Sequence, residues 1–305
     1  MALLIEQALN GVQLGFTLFL LAAGLTLIFG IMGVINLAHG SLFMIGAYAA
    51  ALTAAKTGSF LIAFPVGLIC AAIAGMVIEF LVVRRLYARD HLDQVLATFG
   101  LILFFNQMTI ILFGRQPLFV EIPSWLEGSI PIVAGVQYPL YRFVIILVGL
   151  LTAVGLYFLI ARTRIGMLIR AGATNRDMVR ALGVDIKLLY TIVFGLGAML
   201  AGLAGIMTGP ISAVQVGMGE HVLILTFVVI IIGGVGSIKG AFAGALIVGV
   251  VDTMMRAFLP ALMRHLMTSG SEADALAGGI SAMGVYLLMA IVLLIKPKGL
   301  LPAHG

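Results

Sequence analysis

The sequence predicts an all-α, polytopic membrane protein with about eight or nine transmembrane helices, some of them broken or re-entrant. Three observations predict it. Hydrophobic residues make up 62% of the 305 positions and charged residues 10%, leaving more apolar surface than a soluble domain of this length can hide. The mean hydropathy is +1.22, which makes lipid the main solvent. Apolar runs of the roughly 20 residues needed to cross a hydrocarbon core about 30 Å thick recur along the chain, separated by short polar stretches.

Taken in order, the runs place spans near residues 9–31, 40–55, 60–83, 94–113, 141–161, 188–208, 222–235, 240–259 and 279–296. The seventh is short for a crossing and reads as a broken helix or as one arm of a hairpin with the eighth. Removing that pair leaves the sidedness of the rest unchanged. Residues 1–305 therefore read as a single transmembrane domain, with no soluble domain expected. Met1 to Glu6 carry no basic run ahead of the first apolar stretch, so the first span is expected to be retained rather than cleaved as a signal peptide. The single cysteine, Cys70, lies within an apolar run and has no intrachain partner.

Sidedness follows from Lys and Arg, which concentrate in cytoplasmic loops. With the N-terminus outside, the inner face carries Arg84, Arg85, Arg89, Arg162, Arg164, Arg170, Arg176, Arg180, Lys187, Lys239, Lys296 and Lys298. The outer face holds only Lys56, Arg115, Arg142, Arg256 and Arg264. A periplasmic N-terminus and a cytoplasmic C-terminus are therefore expected. The same distribution accounts for the formal charge of +5 without nucleic acid, which requires basic residues gathered on one water-facing surface.

Glycine, at 38 residues, sits within spans. Helices in lipid approach through small residues four apart, and Gly197, Ala201, Gly205 and Gly209 form one such row, Gly46, Ala50 and Ala54 another. These rows fit static packing and also a seam that slides during a functional cycle. A second pattern is an echo. Gly33 to Gly40 and Gly233 to Gly240 bracket polar interruptions of equal length two hundred residues apart. Paired interruptions of this kind mark substrate paths in many transporters, although a glycine-rich chain also produces them by coincidence.

The longest inner loop runs from Arg162 to Asp185. Thr174 is placed to cap a short helix, with Asp177 near its positive end and Gly183 placed to terminate it. Met178, Val179 and Leu182 offer apolar contacts, and Arg176 and Arg180 share a charged face. Such a helix fits a groove on a partner protein or a membrane surface; the loop alone reads equally as a solvated turn.

Several blocks resemble the branched-chain amino acid type of permease in bacterial ATP-binding-cassette importers. They are the run Gly30 to Tyr48 containing Gly33-Val34-Ile35-Asn36-Leu37-Ala38-His39-Gly40; Arg170, Ala173, Asn175, Ala181 and Gly183 followed by Ala201-Gly202-Leu203-Ala204-Gly205; Gly233-Gly234-Val235-Gly236-Ser237-Ile238 with Gly240-Ala241; and Lys296-Pro297-Lys298-Gly299-Leu300-Leu301. They span nearly the whole chain and are less specific for cargo than for family, since permeases for urea, short amides and other amino acids are similar. The resemblance implies a single transmembrane permease domain in a bacterial inner membrane, with a cytoplasmic coupling loop near 162–187. It implies four kinds of partner: cytoplasmic ATPase subunits, a second permease subunit, identical or related, a periplasmic solute-binding protein, and membrane lipid. In this division ATP and Mg²⁺ are used by the ATPases and this chain holds no cofactor. No Gly-x-x-x-x-Gly-Lys-Ser/Thr phosphate loop occurs; Gly236-Ser237-Ile238-Lys239-Gly240 lacks its spacing and hydroxyl. By the same resemblance Arg170, Asn175, Arg176, Asp177, Val179, Arg180, Leu182 and Gly183 would couple the chain to an ATPase.

Polar residues within spans are candidates for a cavity or a partner. Asn36, His39, Ser41 and Ser237 are candidates for the translocation path, where neutral hydrogen bonds would hold a zwitterion loosely. Asn36 and His39 also fit a second role, satisfying backbone groups freed by the break. Gly46, Gly197, Ala201 and Gly205 are expected in helix packing. Glu79 is placed to pair with Arg84 or Arg85, and Asp252 with Arg256; Asn106 is a further polar candidate. Asp90, His91 and Asp93 read as a solvated turn. His39, His91, His221, His265 and His304 lack metal-site spacing, and no catalytic signature occurs. No catalytic residue and no metal ligand is assigned, and the runner-up function is a self-contained, ion-coupled carrier for a small polar solute.

Overall fold

The computed structural model describes residues 1–132, 135–267 and 269–302; His304 lies outside them. Among the described residues there are eleven α-helices and one two-stranded hairpin. The helices are α1 (Ala2–Met32), α2 (His39–Thr57), α3 (Phe60–Leu81), α4 (His91–Phe113), α5 (Leu140–Arg162), α6 (Arg164–Thr174), α7 (Arg176–Ala181), α8 (Ile186–Thr208), α9 (Met218–Gly233), α10 (Ile238–Leu266) and α11 (Gly270–Ile295). Seven are long and apolar enough to cross a membrane: α1, α3 extended to Arg85, α4, α5, α8, α10 and α11. The alanine- and glycine-rich α2 falls short in composition and the 16-residue α9 in length. The predicted spans are all present as helices. The largest boundary error is at α11, which starts at Gly270 rather than 279, because Ser269 to Ala277 carry polar residues that hydropathy alone discounts.

The chain divides into two compact units, each assembled from separated stretches. One comprises Met1–Phe19, Ser124–Leu150 and Leu225–Gly305. Here the start of α1 lies on α10 through glycine. A Cβ on Gly11 would sit 2.7 Å from the Val250 Cα, and one on Gly249 would sit 2.5 Å from the Gly11 carbonyl oxygen. Phe16 and Phe19 meet Phe242 edge to face, with centroids 5.9 and 5.2 Å apart. The hairpin pairs β1 (Ser129–Pro131) with β2 (Gln137–Pro139), Ile130 opposite Tyr138.

In the same unit the break between α9 and α10 is closed by the residues after α11. Leu300 N–H donates to the Ile232 carbonyl at 2.8 Å and Leu301 N–H to the Gly233 carbonyl at 2.9 Å. These are terminal carbonyls of α9 that have no partner within their own helix. Gly234 and Gly299 both have positive φ, +106° and +84°, and a Cβ on Gly299 would lie 2.5 Å from the Gly234 backbone. Two of the sequence blocks that carry the family resemblance are therefore one structural feature.

The other unit comprises Leu20–Pro123 and Leu151–Ile224. Its centre is a block of α2, α3 and α8 packed through residues without side chains. A Cβ on Gly46 would lie 2.5 Å from the Gly202 Cα, and one on Gly67 would lie 2.9 Å from the Gly46 carbonyl. Gly205 abuts the Phe43 carbonyl and Gly75 abuts Ala198. The end of α1 crosses at Gly24, whose Cβ would fall 2.5 Å from the Gly197 carbonyl. The predicted row on α8 is thus split in function: Gly197 faces α1, Gly205 faces α2, and Gly209 meets Val214. Ala201 is buried, and Gly202, outside the predicted row, lies between Ala71 of α3 and Gly46 of α2.

Gly197 is the midpoint of the 23-residue α8, about 17 Å from either end at 1.5 Å per residue. His39, the first residue of α2, reaches this level, its Nε2 lying 3.0 Å from where a Gly24 Cβ would be. Gly40, next in sequence, packs on the Gly219 backbone at the start of α9. Both α2 and α9 therefore begin near the middle of α8, as the predicted broken segments require.

Candidate coupling surface and translocation elements

Three successive caps fix the loop between α5 and α8. Thr163 Oγ1 accepts from Gly166 N at 3.0 Å and starts α6. Asn175 Oδ1 accepts from Met178 N at 3.0 Å and starts α7. Asp185 Oδ1 accepts from Lys187 N and Leu188 N at 2.9 and 3.2 Å and starts α8. The predicted cap was Thr174; its hydroxyl instead donates to the Arg170 carbonyl at 3.0 Å. The reason is that Thr174 already ends α6, so the extended residue that a cap requires is Asn175. Gly183, at φ +84°, closes α7 as expected, with its N–H donating to the Arg180 carbonyl at 3.0 Å.

On α7 only Val179 is buried; Arg176, Asp177, Met178 and Arg180 are exposed, as are Leu182, Gly183 and Arg170. Val179 fastens α7 to the unit while Met178 and Leu182, expected to make apolar contacts, point outward at 59% and 77% exposure. The result is a mixed apolar and basic surface of one and a half turns, rigidly capped at both ends. Beside it lies an open groove of roughly 410 Å³, lined by Phe29 to Gly33 at the end of α1 and Gly172 to Asp177.

Close to the start of α8 is a buried polar cluster. Glu79, fully buried, accepts from Arg84 Nε at 3.1 Å, Arg84 Nη2 at 2.9 Å, Tyr87 Oη at 2.5 Å and Thr191 Oγ1 at 2.7 Å. Of the two predicted partners, Arg84 is the one used, while Arg85 donates to the Leu81 carbonyl. Burial first, then the hydrogen bond to Glu79, push the Tyr87 phenol upward, so it stays protonated and donates. Thr191 is not legible in the sequence because 107 residues or more separate it from Arg84 and Glu79; Tyr87 lies close by in the chain, but only the turn after α3 brings its hydroxyl back to Glu79.

The break before α2 is also polar. Its freed backbone groups are satisfied from α4: Ile35 N–H donates to Gln94 Oε1 at 3.3 Å and Leu37 N–H to Thr98 Oγ1 at 3.2 Å. Asn36 and His39 are both fully buried, and neither Asn36 amide atom nor either His39 ring nitrogen has a well-formed hydrogen bond. The Leu21 backbone approaches the His39 ring without completing one. Ser41, two residues after His39, is also buried. In the other unit Ser237 accepts from Gly240 N at 3.0 Å and caps α10. Asp252 Oδ2 accepts from Arg256 Nε at 2.8 Å, the expected i,i+4 pair, while Asp252 Oδ1 has no partner among the described residues. Asn106 donates to Glu220.

This architecture, many apolar helices with two starting at mid-length and one short capped helix presented outward, defines a polytopic membrane transport protein. The chain belongs to the family described as branched-chain amino acid transport system, permease component, which matches residues 7–295. It is 28% identical to the high-affinity branched-chain amino acid transport permease BraD of Pseudomonas aeruginosa, over 97% of this chain and 95% of that protein. It is 27% identical, over the same shares, to the corresponding LivH permease of Escherichia coli. A probable LivH of Methanocaldococcus jannaschii is 29% identical over 93% of this chain and 88% of its own length. No solved structure matches the chain.

Proposed function

We propose that this chain is the membrane-spanning permease subunit of an ATP-driven importer that moves branched-chain amino acids, or a similar small polar solute, from periplasm to cytoplasm. The observation that carries the reading is the family match across 7–295, in a chain without a phosphate loop of its own. Energy then enters through cytoplasmic ATPase subunits that use ATP and Mg²⁺. A second permease subunit completes the path and a periplasmic binding protein delivers the solute.

In this reading the N-terminus is periplasmic and α7 is the coupling helix. Its exposed Arg176, Met178, Arg180 and Leu182 suit a groove on an ATPase, and its caps make it a rigid lever. ATPase closure displaces α7, the glycine-packed helices rearrange, and access alternates between the two faces. Asn36, His39, Ser41 and Ser237 are assigned to the path, where the unpartnered atoms of Asn36 and His39 supply neutral hydrogen bonds to a passing zwitterion.

The test is reconstitution in proteoliposomes with radiolabelled leucine. Uptake is expected only with ATPases, binding protein and ATP all present. Uptake by this chain alone under a proton or sodium gradient would instead establish the ion-coupled carrier and reject the permease reading.

A further inference from the structure

We infer that the Glu79–Arg84–Thr191 cluster is the joint through which displacement of α7 reaches the helices of the membrane core. The inference rests on the reading of α7 as the coupling helix. From α7 to Thr191 the chain is held by hydrogen bonds at every step. Val184 N–H donates to the Val179 carbonyl at 3.4 Å, Asp185 caps α8, and Thr191 stands in the second turn of that helix. A push on α7 therefore moves the start of α8 as one piece.

At Thr191 the motion meets a different element. Arg84 Nη2 donates to Thr191 Oγ1 at 2.7 Å, and the same guanidinium holds Glu79 at the end of α3. The preceding residue, Tyr190, packs edge to face on Tyr87 at 5.1 Å, and its hydroxyl donates to the Ile31 carbonyl of α1 at 3.4 Å. One turn of α8 is thus tied to α3, to the turn after it and to the end of α1.

Thr191 also has a choice. It carries one hydroxyl hydrogen but two acceptors, Glu79 Oε2 at 2.7 Å across the interface and the Lys187 carbonyl at 3.0 Å in its own helix. Turning the hydrogen to Lys187 gives up the direct Thr191–Glu79 bond without leaving the hydrogen unpaired, while Arg84 Nη2 still bridges Thr191 to Glu79. The Glu79 carboxylate keeps Arg84 and Tyr87 when this happens. The cluster therefore has a low-cost way to tighten and loosen, exchanging one of its two links while Arg84 keeps the other, which a coupling joint needs and a purely structural ion pair does not. Thr191 and Glu79 are positioning residues; neither needs to touch solute or nucleotide.

The experiment measures solute transported per ATP hydrolysed by the assembled transporter in proteoliposomes, comparing Thr191→Val, Thr191→Ser and Glu79→Gln with a charge-reversed Arg176→Glu/Arg180→Glu variant. Thr191→Val keeps size but removes the hydroxyl. It is expected to lower the transport-to-ATP ratio by about fivefold or more, the usual lower scale of coupling between sites, while ATP hydrolysis continues. Thr191→Ser should restore the ratio and Glu79→Gln should lower it. If the α7 variant uncouples and Thr191→Val does not, the joint is overturned and the α7 reading stands. If Thr191→Val uncouples and the α7 variant does not, the α7 reading fails and the inference with it. An equal fall in transport and hydrolysis, or a Thr191→Val complex that fails to assemble when Thr191→Ser assembles, assigns a structural role and overturns the joint.

Discussion

Gly40 and Gly219 meet backbone to backbone: a Cβ on Gly40 would fall 2.6 Å from the Gly219 carbonyl oxygen, and one on Gly219 would strike the Gly40 backbone in return. Two helix starts are held together because neither residue has a side chain. Gly40→Ala and Gly219→Ala are each expected to cost about 1–3 kcal/mol by overpacking. Because both relieve themselves by the same separation, the double variant should cost less than the sum. Gly100→Ala, whose Cβ meets open space within α4, is the control and is expected to be neutral or stabilising by up to about 1 kcal/mol. Thermal unfolding in detergent reads all four.

Asn36 presents a trade between stability and transport. Its amide is buried with neither atom bonded, a state that costs about 1–3 kcal/mol. Asn36→Leu keeps the branched shape, with methyls larger than the amide groups they replace, and removes that cost, so the unfolding temperature should rise. If the amide serves the passing solute, uptake should fall by about tenfold, the equivalent of about 1.4 kcal/mol. A stabilised variant with full uptake would remove Asn36 from the path.

The α7 cap should be separable from its charge. Asn175→Ala loses the hydrogen bond to Met178 N and is expected to cost about 1 kcal/mol of local stability. Hydrogen exchange across 176–181 should quicken while α8, capped separately by Asp185, stays protected. Asn175→Asp retains an acceptor and should behave as the parent does.

Within α10, the Asp252 and Arg256 side chains are 7% and 57% exposed, so the pair is asymmetric. Removing Arg256 strands a buried carboxylate, whereas removing Asp252 leaves a guanidinium that reaches solvent or headgroups. Arg256→Ala should therefore destabilise more than Asp252→Ala, and the double variant should recover part of the loss. Chemical denaturation of the three variants checks the order.

The spans were readable in the sequence because lipid imposes one requirement, apolar length, that a hydropathy pattern reports directly. The Asp252–Arg256 pair was readable because helical spacing brings it together, and the Glu79–Arg84 pair because the two are near neighbours in the chain at the end of α3. What the sequence concealed was of two kinds. α6 and the cap at Asn175 are not legible, because a cap is defined by where the preceding helix stops. The roles of Gln94, Thr98 and Thr191 depend on contacts between elements far apart in the chain, and no spacing rule reaches that far. The glycine row on α8 was visible, but which neighbour each glycine faces was not.

The closure of the α9–α10 break has a consequence for how this chain tolerates change over generations. Gly234 and Gly299 sit against each other with no space for a side chain on either, and the backbone of Leu300 and Leu301 completes the end of α9. A substitution in one stretch is therefore judged by the other, although the whole of α10 and α11 lies between them in sequence. The two stretches form a single unit of inheritance, and a chimera that exchanges only one of them between relatives should fold less well than one that exchanges both.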